Sequence, residues 1–237
     1  MSRMRHMPRR RSYDQYCAAA RALDAVGDRW TLLIVRELLA GPRRYTDLHA
    51  DLPGVSTDVL ASRLKDMERD ELATRRRLPP PAAAYVYELT ERGRGLLPVL
   101  TALAEWGAPA LDERRPTDAV RAHWFAVPLL PVLEGLSGPD GSGGSGGSDG
   151  GSTPGGPGVG VGVVEVRLDE GAFHIRLGDG EPAYGDGPAD HPDARLVLDA
   201  DTCRALTGGA LTVGDAVRDG RIEVSGEGTL AKVLRGE

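Results

Sequence analysis

Apolar residues recur at helical spacing through the first part of the chain. This periodicity predicts helices over Ala18–Val26, Trp30–Leu39, Tyr45–Asp51, and from a Ser56 cap to about Glu71. Gly41-Pro42 is a normal stop for the second of these helices, and Pro53-Gly54 forms a turn before the last. In the last helix Leu60, Leu64 and Met67 follow an i, i+4, i+7 spacing, so they should face the interior.

The period of the pattern changes after this helix. Alternation and β-branched residues predict two strands, Leu72–Leu78 and Tyr85–Leu89, joined into a hairpin by a proline-rich tip. Helical spacing then returns, with a long helix from about Glu91 to Leu111 and another over Thr117–Leu133. The first of these two helices has an apolar stripe broader than a lone surface helix needs.

Helices followed by a hairpin form a winged helix-turn-helix, whose second helix enters the DNA major groove. The outward positions on the predicted Ser56 helix are Thr57, Asp58, Ser62, Lys65 and Arg69, with Arg63 on the flank. Ser, Thr, Lys and Arg side chains are of the types that reach base edges and phosphates. An ordinary solvated helix face would have the same pattern. The hairpin arginines Arg75, Arg76 and Arg77 favour DNA binding, because strand packing rarely places three cations together, and we expect them to contact phosphates.

Composition changes sharply at residues 135–162, where 14 of the 28 residues are glycine. We interpret residues 137–160 as a flexible linker, since such a segment buries too little apolar surface to become ordered. Beyond it, the pattern predicts strands Val163–Leu168, Ala172–Leu177, Ala194–Leu198 and Arg221–Ser225, and helices Asp201–Leu206, Thr212–Asp219 and Thr229–Leu234.

The chain is therefore expected to be an α+β protein in several parts. These parts are a basic tail (residues 1–14), a winged-helix domain (15–112), a leading helix (113–136), the linker (137–160) and a small α+β domain (161–237). Charge divides in a similar way: the whole chain has a net charge of −6, with +4 over residues 1–115 and −10 over residues 116–237. A cationic first part favours a polyanionic partner such as double-stranded DNA.

Candidate chemistry of other kinds is sparse in the sequence. Cys17 and Cys203 lie far apart, and the five histidines show no ligand spacing, so we expect no disulfide framework, metal site or cofactor. No catalytic set of nucleophile, base and acid is visible, which predicts a protein that is not an enzyme. The sequence contains neither a long apolar run nor a secretory signal, and we therefore expect a cytoplasmic protein without membrane contact.

Short motifs add a family resemblance. They are GDRW at residues 27–30, GPRRYTDL at 41–48, PGVSTDVL at 53–60, YELTERG at 87–93 and AEWG at 104–107. Over about Tyr16–Gly107 the chain resembles the HxlR-type winged-helix regulators of bacteria. The resemblance implies a homodimeric transcription regulator, which we expect to be a repressor acting on a palindromic operator. Together with the outward positions, it indicates DNA contacts from Arg44, Ser56, Thr57, Ser62, Arg63, Lys65, Arg75, Arg76 and Arg77.

The same resemblance implies that the long helix pairs with the N-terminal helix of a second subunit. Its dimerisation residues would be Leu96, Leu100, Leu103 and Trp106. The chain departs from the family pattern at Ala18, where proline usually follows the early cysteine, and at residues 82–84, where Ala-Ala-Ala replaces a cationic wing tip. Cys17 has two interpretations: a redox sensor, as the early cysteine is in some family members, or a small residue packed beneath the dimer helices.

The segment from Asp193 onward resembles the C-terminal half of the sterol-carrier-protein fold, chiefly through LTGG at residues 206–209 and GDAVRDGRIEVSGE at 214–227. That resemblance implies an apolar tunnel and a hydrophobic ligand that controls the regulator. A domain that only assists folding or dimerisation is the alternative. For the whole chain, the alternative function is a carrier of hydrophobic small molecules whose winged helix contacts other proteins.

Overall fold

The computed structural model describes residues 12–111, 115–136, 161–178 and 183–237. The predicted linker (137–160) lies outside these residues, as does most of the predicted basic tail. Two compact units make up the chain, one containing Met1–Val35 and Arg43–Arg94, the other Arg36–Pro42 and Gly95–Glu237. The described helices are too short or too polar for any of them to span a lipid bilayer.

The first unit is a helical cluster with a small antiparallel sheet. Its helices are α1 (Ala18–Val26), α2 (Thr31–Leu39, which passes into the second unit at Arg36), α3 (Tyr45–Asp51), α4 (Thr57–Arg69) and α5 (Glu91–Arg94). Its strands β1 (Arg43–Arg44), β2 (Ala73–Arg77) and β3 (Tyr85–Leu89) lie in the order β1-β3-β2. The predicted helices and hairpin are confirmed, whereas β1 has only two residues and gives no sequence pattern.

Helix α4 forms where the sequence predicts it. The Ser56 Oγ accepts a hydrogen bond from the Val59 amide at 3.3 Å, which satisfies one of the free donors in the first turn. Leu60, Leu64 and Met67 are all buried, as their spacing predicts. The opposite side of α4 is therefore left to solvent.

The second unit combines a mixed sheet with helices, which confirms the α+β class. Strands β4 (Gly162–Leu168), β5 (Gly171–Leu177), β6 (Tyr184–Asp186), β7 (Ala194–Val197) and β8 (Glu223–Ser225) lie in the order β6-β5-β4-β7-β8. Only β4 and β7 pair in parallel among the described strands. The helices are α6 (Leu97–Gly107), α7 (Ala126–Leu136), α8 (Ala200–Thr207), α9 (Val213–Arg218) and α10 (Thr229–Arg235).

Two helix predictions are wrong in their extent, and a proline accounts for the first of them. The predicted helix from Glu91 to Leu111 is interrupted between α5 and α6, and α6 restarts with Pro98 in its first turn, where a missing N–H is tolerated. The predicted Thr117 start is also wrong. The chain there is irregular until a 3-10 turn over Ala122–Phe125, and α7 follows it.

A charged network lies inside the second unit. The Glu37 carboxylate has no solvent exposure and accepts bonds from His123 Nε2 at 2.6 Å, Trp124 Nε1 at 2.9 Å and Arg36 Nη2 at 2.7 Å. The other ring nitrogen of His123, Nδ1, lies 3.2 Å from Asp186 Oδ1. Because both ring nitrogens face carboxylates, both must donate, and the imidazole is the protonated form.

The pKa values follow from this geometry. Burial lowers the pKa of His123, but the bonds to Asp186 and Glu37 outweigh burial and raise the pKa to about 9. Burial alone would raise the pKa of Glu37, but the bond from His123 and the charge of Arg36 hold it below its ordinary value. The network is thus an ion pair at neutral pH.

The second unit should lose stability as the solution becomes alkaline. A histidine whose folded pKa of about 9 exceeds the ordinary 6.5 contributes fully below pH 6.5, and its contribution is lost as pH rises towards 9. We expect the free energy of unfolding to fall by about 3 kcal/mol over that window, measured by urea unfolding followed by circular dichroism. His123→Gln should flatten this dependence, whereas the exposed His191→Gln control should keep it. Equal slopes in both variants would contradict the assignment.

Candidate nucleic-acid interface

Helices α3 and α4 form the helix-turn-helix pair. The Tyr45 hydroxyl donates to the Thr57 carbonyl oxygen at 2.7 Å, which joins the first turns of the two helices. The solvent side of α4 presents a continuous stripe of exposed residues, Thr57, Asp58, Ala61, Ser62, Lys65 and Arg69. Hydroxyl, carboxylate and ammonium groups of this kind can hydrogen-bond to base edges in a major groove.

Arg63 does not belong to this stripe. Its side chain is only 23% exposed, with Nη1 3.4 Å from Asp28 Oδ2 and Nη2 2.7 Å from Asp66 Oδ2. We expected Arg63, on the flank of α4, to contact DNA together with Thr57 and Ser62. The structure keeps Arg63 on the flank but holds its guanidinium in two ion pairs.

The three wing arginines are not equivalent. Side chains alternate across a strand, so Arg75 and Arg77 point to one face of β2 and Arg76 to the other. Arg76 is paired with Glu88, with Nε and Nη2 each 3.0 Å from Oε2. The Arg75 guanidinium lies over the Tyr85 ring, 4.0 Å from its centroid, in a cation–π contact.

Arg77 remains available for phosphate binding. It is exposed, and within the described ranges no acidic side chain pairs with it. Lys65 is likewise exposed and without an ion pair in the part of the chain that the structure describes. Arg44 is exposed on β1, just before α3. The hydroxyl of Ser56, by contrast, already serves as the cap of α4.

The residues expected at a dimer interface divide into two groups. Leu103 and Trp106 are 46% and 82% exposed on α6, and Leu96 is half-buried before it. Leu100 is buried in its own unit at 6% exposure, so the expectation that it faces a second subunit is corrected. Val99 takes the outward position instead; the i, i+4, i+7 spacing of residues 99, 103 and 106 could have revealed it.

Cys17 lies at the N-cap position of α1 with a free, exposed thiol. Both interpretations of Cys17 stay predictions, because packing beneath the dimer helices requires a second subunit. Tyr16 beside it and Leu23 on α1 are exposed apolar residues as well. Cys203 differs because it is fully buried, and burial raises the pKa of its thiol to about 12.

Residues 25–115 match the HxlR-like helix-turn-helix family. The HTH-type transcriptional regulator YvaP of Bacillus subtilis, itself uncharacterized, is 35% identical over 92 residues, which are 39% of this chain and 85% of YvaP. YodB, another HTH-type transcriptional regulator of that bacterium, is 35% identical over 85 residues, 36% of this chain and 76% of YodB. The reduced form of YodB superposes with a TM-score of 0.37 at 30% identity, covering 43% of this chain and all of YodB.

A helix-turn-helix pair with a polar solvent stripe, followed by an arginine-bearing hairpin, defines a winged-helix DNA-binding protein. The family match is supported by YvaP, because this chain covers 85% of that regulator at 35% identity. This chain belongs to the HxlR-like helix-turn-helix family. Both relatives named here are HTH-type transcriptional regulators.

The wing geometry predicts different roles for neighbouring arginines. Arg77→Ala should lower the slope of log affinity against log salt by about one unit, because one phosphate contact and its released counterion are lost. Arg76→Ala should leave that slope nearly unchanged, because Arg76 is paired with Glu88. The measurement is a fluorescence-anisotropy titration with a random duplex at several salt concentrations. If both variants lower the salt dependence of affinity equally, then Arg76 and Arg77 contact DNA equally and the prediction is wrong.

Proposed function

We propose that this protein is a homodimeric transcriptional repressor that binds a palindromic DNA operator. The observation that carries the proposal is the exposed stripe on α4, together with Arg77 of the hairpin, which pairs with no acidic side chain among the described residues. Ordinary solvated helices also carry polar residues. Here, however, the stripe occupies the second helix of a helix-turn-helix pair in a chain of the HxlR-like family.

Base reading is assigned to Thr57, Ser62 and Lys65. Ser and Thr hydroxyls can donate to or accept from several bases, and an unpaired Lys ammonium can donate to the O6 and N7 acceptors of guanine. Arg77, Arg75 and Arg44 would contact phosphates, which supply affinity without sequence preference. The α4 N-terminus adds backbone amides that favour a phosphate.

Dimerisation is assigned to the exposed apolar faces of two helices. Val99, Leu103 and Trp106 form a stripe along α6, and Tyr16 and Leu23 form another at α1. In the proposed dimer, α6 of one subunit packs on α1 of its partner, which removes both stripes from water. A two-fold dimer of this kind would present two α4 helices about 34–36 Å apart and thus favour a palindromic site.

Two routes could control the proposed repressor. The exposed thiol of Cys17 adjoins the α1 stripe, so its oxidation would alter the dimer contact. A hydrophobic ligand in the sterol-carrier-like region is the other route, and it rests on the sequence resemblance. Peroxide treatment of the wild type and Cys17→Ser, followed by DNA titration, separates the routes, because only the first depends on the thiol.

The leading test uses the base-reading assignment. The wild type is first used to select a duplex from a randomised pool. Lys65→Ala should then show a preference for this duplex over random DNA that is about tenfold lower than that of the wild type, since one good base contact is worth about 1–3 kcal/mol. Lys232→Ala, which changes the only other lysine, is the matched control and should keep the preference. A wild type that binds all duplexes equally would overturn the proposal and favour the hydrophobic-carrier alternative.

The dimer assignment predicts a mass of twice 25.1 kDa at micromolar concentration in analytical ultracentrifugation. Trp106→Ser should shift the population to monomer, because it removes the largest exposed apolar side chain of the α6 stripe. Val197→Ser, at an exposed valine on β7, should sediment as the wild type does. Monomeric wild-type protein would refute the dimer and, with it, the palindromic operator.

A further inference from the structure

A chain of alternating charges runs along the flank of α4. Its members are Asp28, Arg63, Asp66, Arg69 and Asp70. Arg63 bridges Asp28 at 3.4 Å and Asp66 at 2.7 Å, while Arg69 lies 2.8 Å from Asp66 and 3.4 Å from Asp70. Four of these residues are on α4 or directly after it. Asp28 is the exception, because it lies in the turn before α2 and connects the row to another helix.

Asp28 is itself held in place by the backbone. Its Oδ1 accepts a hydrogen bond from the Trp30 amide at 3.0 Å, so the carboxylate is oriented at the entrance to α2. Its Oδ2 is then left to face Arg63. One carboxylate thereby joins the turn between α1 and α2 to the second turn of α4, 35 positions later in the sequence.

The rotation of α4 about its own axis decides whether its stripe can read bases. A helix with side chains has a radius of about 5–6 Å, so a rotation of about 10° moves the side-chain tips by about 1 Å. Hydrogen bonds to base edges tolerate less displacement than this. Close packing of Leu60, Leu64 and Met67 holds α4 on the core, and the ion pair between Arg63 and Asp28 adds a directional contact on its flank.

We propose that Asp28 and Arg63 are positioning residues that fix the rotation of α4 for DNA reading. This inference rests on the proposed function. Arg63 does not read bases itself, since both of its Nη atoms face carboxylates and its side chain is largely covered. By fixing the rotation of α4, Arg63 sets the positions of the exposed Ser62 and Lys65 side chains relative to the bases.

Asp28→Asn tests the proposal with little change in shape. The Asn oxygen can still accept from the Trp30 amide, but the carboxylate that faces Arg63 is lost. We expect the preference for the duplex selected by the wild type, over random duplex, to fall about tenfold. Affinity for random duplex should stay constant or rise slightly, because one negative charge has been removed.

Glu68→Gln is the matched control, because it removes the same charge from the exposed side of α4. It should raise affinity for both duplexes equally and leave the preference unchanged. If Asp28→Asn also shifts both duplexes equally, the positioning role is overturned. Circular dichroism and thermal unfolding of each variant show whether a lost preference reflects lost folding.

Arg63 variants separate positioning from direct base reading. Positioning predicts that Arg63→Gln loses the same preference as Asp28→Asn and that the double variant loses no more than either single variant. Direct reading predicts that Arg63→Gln alone loses preference, at one base pair, while Asp28→Asn keeps it. That second pattern overturns the inference but leaves the proposed function intact. A wild type without any duplex preference would instead overturn the proposed function.

Discussion

Glu37 is a carboxylate with no solvent exposure, so its charge has to be paired inside the second unit. Leaving such a charge unpaired costs several kcal/mol, so the surrounding chain has to supply donors. Two of them, His123 and Trp124, are consecutive residues that both reach the same carboxylate. The 3-10 turn over these residues places both side chains on Glu37, and His123 extends the network to Asp186 on β6. The irregular backbone here therefore carries two of the donors that pair with this charge.

The need to pair charges also distinguishes two kinds of cation in the first unit, those paired with carboxylates and those without such a partner. Almost all of the basic residues are arginine, so residue type alone does not distinguish a structural cation from one that binds DNA. Arg63 and Arg76 each have carboxylate partners within the unit, whereas Arg77 and Lys65 have none among the described residues. Moving a paired guanidinium to a phosphate would leave its carboxylate beside the DNA backbone, which is unfavourable. Ion pairs within the protein therefore determine which cations, here Arg77 and Lys65, stay available to DNA.

Periodicity was sufficient to predict α1, α3, α4 and the hairpin, because each has a regular apolar pattern and a local stop or cap. It failed where the cause is not periodic. Proline restarts α6 inside an otherwise helical pattern, and β6 is too short to show alternation. The candidate site likewise has a part that periodicity predicts and a part that it does not. The outward stripe of α4 follows from spacing, but the Asp28–Arg63 pair joins residues far apart in sequence, and no single-sequence pattern reveals it.

The network around Glu37 also bears on how the C-terminal part of the chain relates to the family. The family match covers residues 25–115, which include Glu37 but neither His123 nor Asp186. Residues 36–42 nevertheless group with residues 95–237 in one compact unit. A segment beginning after residue 115 would contain a buried, protonated His123 without its closest carboxylate, and that arrangement is costly. The compact unit that contains the C-terminal region therefore includes a buried carboxylate from the residues that match the family.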